Sequence, residues 1–517
     1  MARQMRSSVS ALIIALLITL NIVLFIGWAA FNSPVKWGLL LTIPLLMLAI
    51  RDTQQSKHAI IRNFPLIGHL RYFFEWIRPE LRQYFIESDT DGKPFSRRQR
   101  SLVYQRSKNE RETVAFGTLL NVEKAGYEWV AHSTFGEVSN DEPFRVSVGN
   151  SQCLKPYDAS IFNIGAMSYG ALSKTAVAAL NLGARLGDFA HNTGEGGISE
   201  YHLMGGDIIW QIGTGYFGCR DEHGDFDPVS FRRNAIRPEV KMIELKLSQG
   251  AKPGLGGMLP ANKNTREIAA IRQVQPATTI YSPARHTAFN SPEGMIRFLQ
   301  LLRELSEGKP VGFKMCIGDA AEFTQIANAI VTTGIMPDFI VIDGGEGGTG
   351  AAPAEFSDHV GMPLYDALAF ASKTLKQRGL ADDIKIIAAG KIVSAFDILK
   401  AMSLGASLCY SSRAMMMSLG CIQALTCDSG KCPTGVATQN PLLYKGLDPA
   451  DKMVRVASFH TNTINAVRNM MHACGFNSLK DVAPSRFFRR INEQEVKSFE
   501  EIYIKGTEKL LKSVPLN

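Results

Sequence analysis

Three cysteines stand close together as Cys421-x5-Cys427-x4-Cys432, with Pro433 directly after the last. Thiolates cluster in this way to hold soft metals. The set offers three ligands rather than four. It contains no CxxC pair and no histidine, so the paired pattern of a zinc site is missing. Three thiolates suit a three-iron cluster with one vacant corner; the alternative is a trio of free core thiols. Cys153, Cys219, Cys316, Cys409 and Cys474 have no such neighbours. They are expected to behave as small buried hydrophobes.

A second group of residues suggests phosphate chemistry. Asp343-Gly344-Gly345-Glu346-Gly347-Gly348-Thr349 follows an apolar run. Glycines let backbone N–H groups approach a ligand closely. The spacing is neither a dinucleotide-binding GxGxxG followed by a helix nor a GxxxxGK[ST] loop. Gly390-Lys391 and Ser411-Ser412-Arg413 each follow a later apolar run. Together the three segments are expected to form one phosphate cradle. Lys246 and Lys314 lie near the ends of two further runs. A buried lysine is costly unless it faces an anion. That anion would be a ligand, such as the N1/O2 edge of a reduced flavin; the alternatives are a lysine directed to solvent or an internal ion pair.

The elements that must position these residues start near residue 160. Eight short apolar runs alternate with helical stretches: Ile161–Ile164, Asp188–His191, Ile208–Ile212, Met242–Leu247, Val311–Met315, Phe339–Ile342, Ile384–Ala388 and Ala406–Tyr410. Strands alternating with helices imply parallel βαβ units. Eight of them predict a closed (β/α)8 barrel of α/β class, with an open doubly wound sheet as the alternative. In such barrels the active site lies at the C-terminal ends of the strands, which is where the glycine-rich and basic loops fall.

Length and composition agree. The chain has 517 residues, 45% hydrophobic and 20% charged, which fits a folded barrel with accessory segments. Ala11–Phe31 is apolar apart from Thr19 and Asn21, and Val35–Ile50 is a second apolar run with Lys36 its one charge. About 20 residues cross a bilayer core of about 30 Å. The first run is long enough; the second is short and needs snorkelling flanks. Arg3 and Arg6 precede the pair, and Arg51, Lys57 and Arg62 follow it. The positive-inside rule then predicts a transmembrane hairpin with both ends in the cytoplasm, placing the chain at the inner (cytoplasmic) membrane. A cleaved signal peptide and a buried soluble hairpin are the alternatives.

Between Arg51 and Arg111 there are 13 Lys/Arg against 7 Asp/Glu, a balance of +6 out of a total of +8. A basic stretch beside a membrane suits anionic head groups better than nucleic acid. His69–Glu87 mixes aromatics with arginine. It predicts either an interfacial amphipathic helix or a helix packing its aromatics on the catalytic domain, broken or restarted at Pro79. Tyr104–Phe144 reads as an irregular lead-in with short strand-like pieces around Gly117, Gly126 and Gly136. The expected divisions are a hairpin at 1–55, a basic lead-in at 56–150, the barrel at 151–445 and a C-terminal helical extension at 446–517.

Over residues 145–445 the chain resembles the synthase domain of the glutamate synthase large chain. The resemblance rests on several long motifs together: Ala166–Gly170 (AMSYG), Asn192–Gly197 (NTGEGG), Glu244–Gly257 (ELKLSQGAKPGLGG), Asp343–Gly350, the cysteine spacing, and Cys432–Gln439 (CPTGVATQ). It is nearest to stand-alone FMN-binding glutamate synthase family proteins, some of which carry an N-terminal membrane hairpin. The resemblance implies FMN held by Met167, Ser168, Gln211, Lys246, the loop Asp343, Gly344, Gly345, Gly347, Gly348, Thr349, then Gly390, Lys391, Ser411, Ser412 and Arg413. It implies a [3Fe–4S] cluster on Cys421, Cys427 and Cys432 that passes electrons to the flavin. The flavin would reduce an imine formed from 2-oxoglutarate and ammonia. By motif position Lys252 and Arg272 match residues that bind the 2-oxoacid carboxylates, and with Lys246 they form the expected catalytic set.

The sequence also departs from that family. The hydrophobic hairpin stands where a glutaminase with an N-terminal cysteine nucleophile is found, so glutamine hydrolysis is not expected. The family's GEGGQLP is here Gly254–Pro260, with Leu255 in place of an acid and Met258 in place of an amide. Both changes favour a substrate with an apolar portion. No NAD-binding motif is visible, so ferredoxin, a partner reductase subunit or a membrane quinone is the expected electron donor. Three functions follow: a reductive aminase using free ammonia or an amine, an FMN/iron–sulfur oxidoreductase for an unrelated substrate, or a membrane electron-transfer or scaffold subunit without catalysis.

Overall fold

The computed structural model describes residues 2–32, 34–136 and 144–506. The lead-in at 137–143 and the end of the C-terminal extension at 507–517 lie outside the described residues. The chain divides into two compact units, Met1–Lys93 and Pro94–Asn517.

In the first unit, α1 (Ala2–Phe31) and α2 (Leu39–Gln54) form a helical hairpin. Val9–Phe31 and Pro34–Gln54 are long and apolar enough to cross a membrane, by length and composition. The second segment reaches that length because a 3-10 turn, Pro34–Gly38, leads into α2. The polar residues of the hairpin pair with each other. Thr42 Oγ1 donates to Asn21 Oδ1 at 2.8 Å, and Asn21 Nδ2 donates to the Leu17 carbonyl at 2.8 Å. Side-chain bonds of this kind hold helices together where burial of apolar surface cannot. Next comes α3 (Gly68–Leu81). The expected break at Pro79 does not occur. The helix runs through Pro79 to Leu81 and then passes into a π-turn, Arg82–Ile86.

The second unit is the barrel. Its strands are β1 (Phe162–Ile164), β2 (His191–Asn192), β3 (Ile208–Ile212), β4 (Val240–Lys246), β5 (Val311–Met315), β6 (Phe339–Asp343), β7 (Lys385–Ala389) and β8 (Leu408–Ser411). They close in sequence order, all parallel, with β8 pairing β1. The open sheet is thereby excluded. The start of β2 differs from expectation. Asp188 ends the preceding helix in the left-handed conformation, φ 53°, so extended pairing begins only at His191.

The apolar runs are continuous because both strand faces are buried. Met242, Phe339, Val341, Ile387 and Leu408 pack inside the barrel with Val148, Tyr157 and Ala159. The last three belong to an antiparallel hairpin, Arg145–Val148 with Tyr157–Ser160. The alternate residues Ile243, Leu245, Phe313, Ile340 and Ile342 pack outward among the helices. Each fully buried side chain of this size contributes about 1.5–3 kcal/mol.

Two accessory elements close the unit. The helix α4 (Arg97–Ser107) replaces part of the expected irregular lead-in, and starts on a capping box made by Ser96 and Gln99. Arg100 and Arg106 are buried within this unit, where they bond the Phe95 carbonyl and Glu112. They are therefore not available to lipid head groups. The C-terminal extension is helical over Pro449–Cys474. It then adds strands Phe487–Arg490 and Val496–Ser498, which form a small antiparallel sheet with Glu128–Val130. The long helix packs on Lys174–Gly187, where a Cβ at Gly183 would stand 2.6 Å from Val456.

Candidate active site

The C-terminal ends of the strands surround a cavity of about 320 Å³. Its floor is set by strand register. Lys246 and Lys314 are direct partners across β4 and β5, so both ammonium groups rise side by side into the mouth. Glu244 lies two residues below Lys246 on the same inward face, and is the direct partner of Gln211 on β3. Each lysine has a carboxylate partner inside the barrel and also lines the cavity. Lys246 Nζ lies 2.9 Å from Glu195 Oε1. Lys314 Nζ lies 3.2 Å from Asp343 Oδ2, which also accepts the Gly250 N–H at 3.0 Å.

Glu195 is the centre of the positive field. Burial opposes its ionisation, yet Lys246, Arg272 and Lys252 together hold its carboxyl below the ordinary range. Burial and the nearby Lys246 charge hold the Lys252 ammonium below its ordinary range. Burial lowers Arg272 to about 10. Glu244 is pushed up by burial, against the pull of Lys314, Gln211 and Asn192. Gln211 Nε2 and Asn192 Nδ2 donate to its two oxygens at 2.5 and 3.0 Å. Lys314 is raised despite burial, because Asp343 and Glu244 stabilise its charge.

The expected cradle residues come together. Met167, Ser168, Gln211, Asp343, Gly347, Gly348, Thr349, Gly390, Lys391, Ser411, Ser412 and Arg413 all line the cavity with Lys246 and Lys314. Gly344 and Gly345 do not line it. They brace the loop from behind, donating to the Ala389 and Met362 carbonyls at 2.9 and 2.8 Å. Arg413 donates to the Glu346 carbonyl at 3.2 Å. A Cβ on Gly348 would stand 2.7 Å from the Arg413 guanidinium, so a side chain there would displace Arg413. These features fit a phosphate-bearing cofactor: Arg413, Lys391, the Ser411 and Ser412 hydroxyls and the glycines Gly347 and Gly348 converge on one cavity.

Lys252 and Arg272 sit outside the cavity lining. Lys252 Nζ donates to the Gly256 carbonyl at 3.0 Å. Arg272 donates to Ser168 Oγ at 3.4 Å and to the Tyr169 carbonyl at 3.0 Å, with its guanidinium 5.0 Å over the Phe217 ring. Met258 is on the cavity wall, whereas Leu255 is not.

Among the cysteines, Cys427 lines the cavity, Cys421 is half-buried and Cys432 is buried. Burial pushes the Cys421 thiol up to about 11, and the Cys427 and Cys432 charges add to this. Cys432 is held below the ordinary thiol range. Burial opposes this, but the Thr434 hydroxyl and the backbone N–H groups of Ala437, Thr434 and Val436 outweigh it. Among the described residues no three His, Cys, Asp or Glu side chains converge on a single-ion site. Cys427 on the cavity wall and Cys432 among backbone N–H donors have the thiolate chemistry that an iron–sulfur cluster would need. The other cysteines follow expectation except Cys153, which is half-buried with its Sγ 3.3 Å from the Gly308 carbonyl.

Four functional candidates were not singled out from sequence: Glu195, Glu244, Lys263 and His286. Glu195 was visible inside NTGEGG, and Glu244 as an acid inside an apolar strand. Lys263 donates to the carbonyls of Cys427 and Ala437 at 2.5 and 3.1 Å, which ties the cysteine loop to the cavity rim. His286 Nε2 lies 2.9 Å from the Lys246 carbonyl, and Nδ1 lies 3.0 Å from the Tyr216 hydroxyl. Burial holds His286 down at about 4. It is neutral at ordinary pH and braces Lys246. No local signal marked the last two.

The chain is similar to several known proteins. Residues 136–477 match a family model described as a conserved region in glutamate synthase. The glutamate synthase large subunit-like protein YerD of Bacillus subtilis (strain 168) is 38% identical over 85% of this chain and 92% of its own. An archaeal glutamate synthase [NADPH] of Methanocaldococcus jannaschii is 37% identical over 64% of this chain and 63% of its own. A solved mandelate oxidase with a monooxide FMN adduct aligns with TM-score 0.41 at 17% identity, over 76% of this chain and 92% of that one.

Proposed function

Because the chain belongs to the glutamate synthase family, we propose that it is an FMN-dependent oxidoreductase that reduces a 2-imino acid formed from a 2-oxoacid and ammonia. The supporting observation is the Glu195–Lys246 pair on the cavity wall, with the Lys252 and Arg272 charges acting on the same carboxylate. Met167, Ser168, Gln211, Lys246, Lys314, the 343–349 loop, Gly390, Lys391 and Ser411–Arg413 would hold FMN. Cys421, Cys427 and Cys432 would hold a [3Fe–4S] cluster. When bound, FMN supplies hydride transfer and the cluster supplies single electrons from a separate donor, such as ferredoxin, a reductase subunit or a quinone.

The chain's own residues then do three things. Lys246, paired with Glu195, would present its ammonium to the part of the cavity where negative charge develops on reduction. Lys252 and Arg272 supply the field that draws in a carboxylate; Arg272 also fixes the Ser168–Tyr169 backbone. Glu195 balances these cations while no anionic substrate is present.

A second reading is favoured by Met258. With Leu259, Met416 and Leu425 it gives the cavity an apolar side. The acceptor is then a 2-oxoacid with an apolar side chain rather than 2-oxoglutarate. The hairpin α1–α2 is read as a membrane anchor with the catalytic unit in the cytoplasm.

The test is anaerobic. The flavin is reduced chemically, and its reoxidation is followed by absorbance with each of a series of 2-oxoacids plus ammonium. Faster reoxidation with matching amino-acid product is expected. FMN-loaded protein whose reoxidation no 2-oxoacid accelerates would sink the proposal.

A further inference from the structure

The helix after the hairpin carries a stripe that neither the fold nor the catalytic reading uses. Along α3 and its π-turn, Ile67, Leu70, Phe74, Ile77, Leu81 and Phe85 recur at spacings of three and four, which puts them on one face. Five of the six are exposed: Ile67 at 60%, Leu70 at 54%, Phe74 at 58%, Leu81 at 37% and Phe85 at 81%. Ile77 is half-buried. The adjoining face is ionic. It carries Arg71, Glu75, Arg78 and Arg82, with Glu75 lying 3.6 Å from Arg71 and 3.9 Å from Arg78. At 1.5 Å per residue the stripe runs about 28 Å.

The base of this helix is fixed to the end of α2. Asp52, buried near the last turn of α2, accepts the Leu66 N–H at 3.0 Å and lies 2.9 Å from His69 Nε2. Leu66 takes a positive φ of 62°, turning the chain sharply. A Cβ on Gly68 would stand 2.8 Å from Ile61 Cα. So an amphipathic helix with an open apolar face is held rigidly at the end of a membrane-length segment.

We propose that this stripe lies in the head-group layer of the lipid bilayer, with its axis in the membrane plane. The inference rests on the hairpin being a membrane anchor. Charge does not drive the contact. Residues 51–93 hold seven Lys/Arg against six Asp/Glu, a balance of +1. Apolar insertion of about 5–10 Å does, so uncharged phosphatidylcholine is a sufficient partner. The aromatic rings suit this depth, because they tolerate an apolar side and a wet side. Lipid is favoured over a protein occupant by continuity: the stripe begins 13 residues beyond α2, on the segment that would leave the bilayer.

The test uses the full chain in phosphatidylcholine nanodiscs, with FMN absorbance confirming the fold. Phe74→Trp puts an indole on the stripe, and Glu75→Trp puts one on the ionic face. Each signal is read as the difference from the parent protein. Bromines near the glycerol should quench the Phe74→Trp signal at least about twofold more than bromines deep in the chains. Aqueous iodide should quench the Glu75→Trp signal instead. The Phe85→Trp variant repeats the stripe measurement one end further along. Three results overturn the proposal: quenching at Phe74→Trp by iodide alone, stronger quenching by deep bromines, or shielding from both, which would mean a protein cover. Protein that never enters the nanodisc fails the anchor reading. Protein that enters with the stripe wet fails this inference alone. Adding anionic lipid should leave the pattern unchanged.

Discussion

Lys314→Met removes the ammonium paired with Asp343 in the barrel floor, and leaves the Asp343 and Glu244 carboxylates without the cation whose charge acts on both. At the 3.2 Å separation of Lys314 Nζ and Asp343 Oδ2, the pair has about 5 kcal/mol of Coulomb energy at an effective dielectric of about 20. Desolvation of both ions offsets part of that. Removing one partner of a buried pair destabilises by about 3–5 kcal/mol, and a loss in that range is expected. Its pH dependence has a definite sign. Glu244 already has its carboxyl raised by burial, and Lys314 is the largest of the opposing influences. A carboxyl raised on folding contributes stability below its unfolded value, and that stability is lost as pH rises through the folded value. Without Lys314 the folded value climbs further. The deficit against the parent protein should therefore be larger at about pH 8 than at about pH 5. Urea unfolding of the full chain at both pH values, read by tryptophan fluorescence, measures it. Adding Asp343→Asn should recover part of the loss, since the amide can still accept the Gly250 N–H. A deficit under about 1 kcal/mol, or one that grows in acid, would refute the account.

Cys427→Ser should abolish bound iron while FMN absorbance persists; unchanged iron content would remove Cys427 from the ligand set. Arg413→Ala should weaken FMN retention about 10–100-fold, the value of charged hydrogen bonds of about 1.5–3 kcal/mol, as read by flavin release on dilution. Met258→Gln should shift preference toward 2-oxoglutarate over an apolar 2-oxoacid by about tenfold in kcat/KM, about 1–3 kcal/mol. An unchanged ratio would show that Met258 does not contact the acceptor.

Much of this was legible because parallel barrel strands are buried on both faces and so read as unbroken apolar runs. Ile208–Ile212 and Val311–Met315 were legible residue for residue. The polar residues of the barrel mouth were legible where they broke that rule, as Lys246 and Lys314 do. Their partners were not. Glu195 lies 51 residues before Lys246, and only closure of the barrel brings the two together. The helix α4 was missed because its basic composition drew attention to charge. Its Ser96–Gln99 capping box was the stronger local signal. No local pattern could have shown that Tyr104, in that helix, donates to the Cys421 carbonyl 317 residues later at 2.8 Å.

That last bond bears on how electrons would enter. Gln423 both accepts the Phe95 N–H and donates to the Phe95 carbonyl, each at 3.1 Å. The Phe95 ring lies 4.8 Å from the Arg413 guanidinium. The same short segment therefore touches the cysteine loop and the proposed phosphate-binding arginine. Lys263 adds a second tie, bonding the Cys427 and Ala437 carbonyls from the rim of the same cavity. The Tyr104 and Lys263 links go to backbone carbonyls and the Gln423 link uses an amide side chain, so all three fix the loop's path without depending on the ionisation of any thiol. The loop carrying Cys421 and Cys427 is held as part of the cavity wall. A cluster on these cysteines would thus be rigidly placed with respect to the flavin cradle, and electron transfer between fixed centres needs no loop motion.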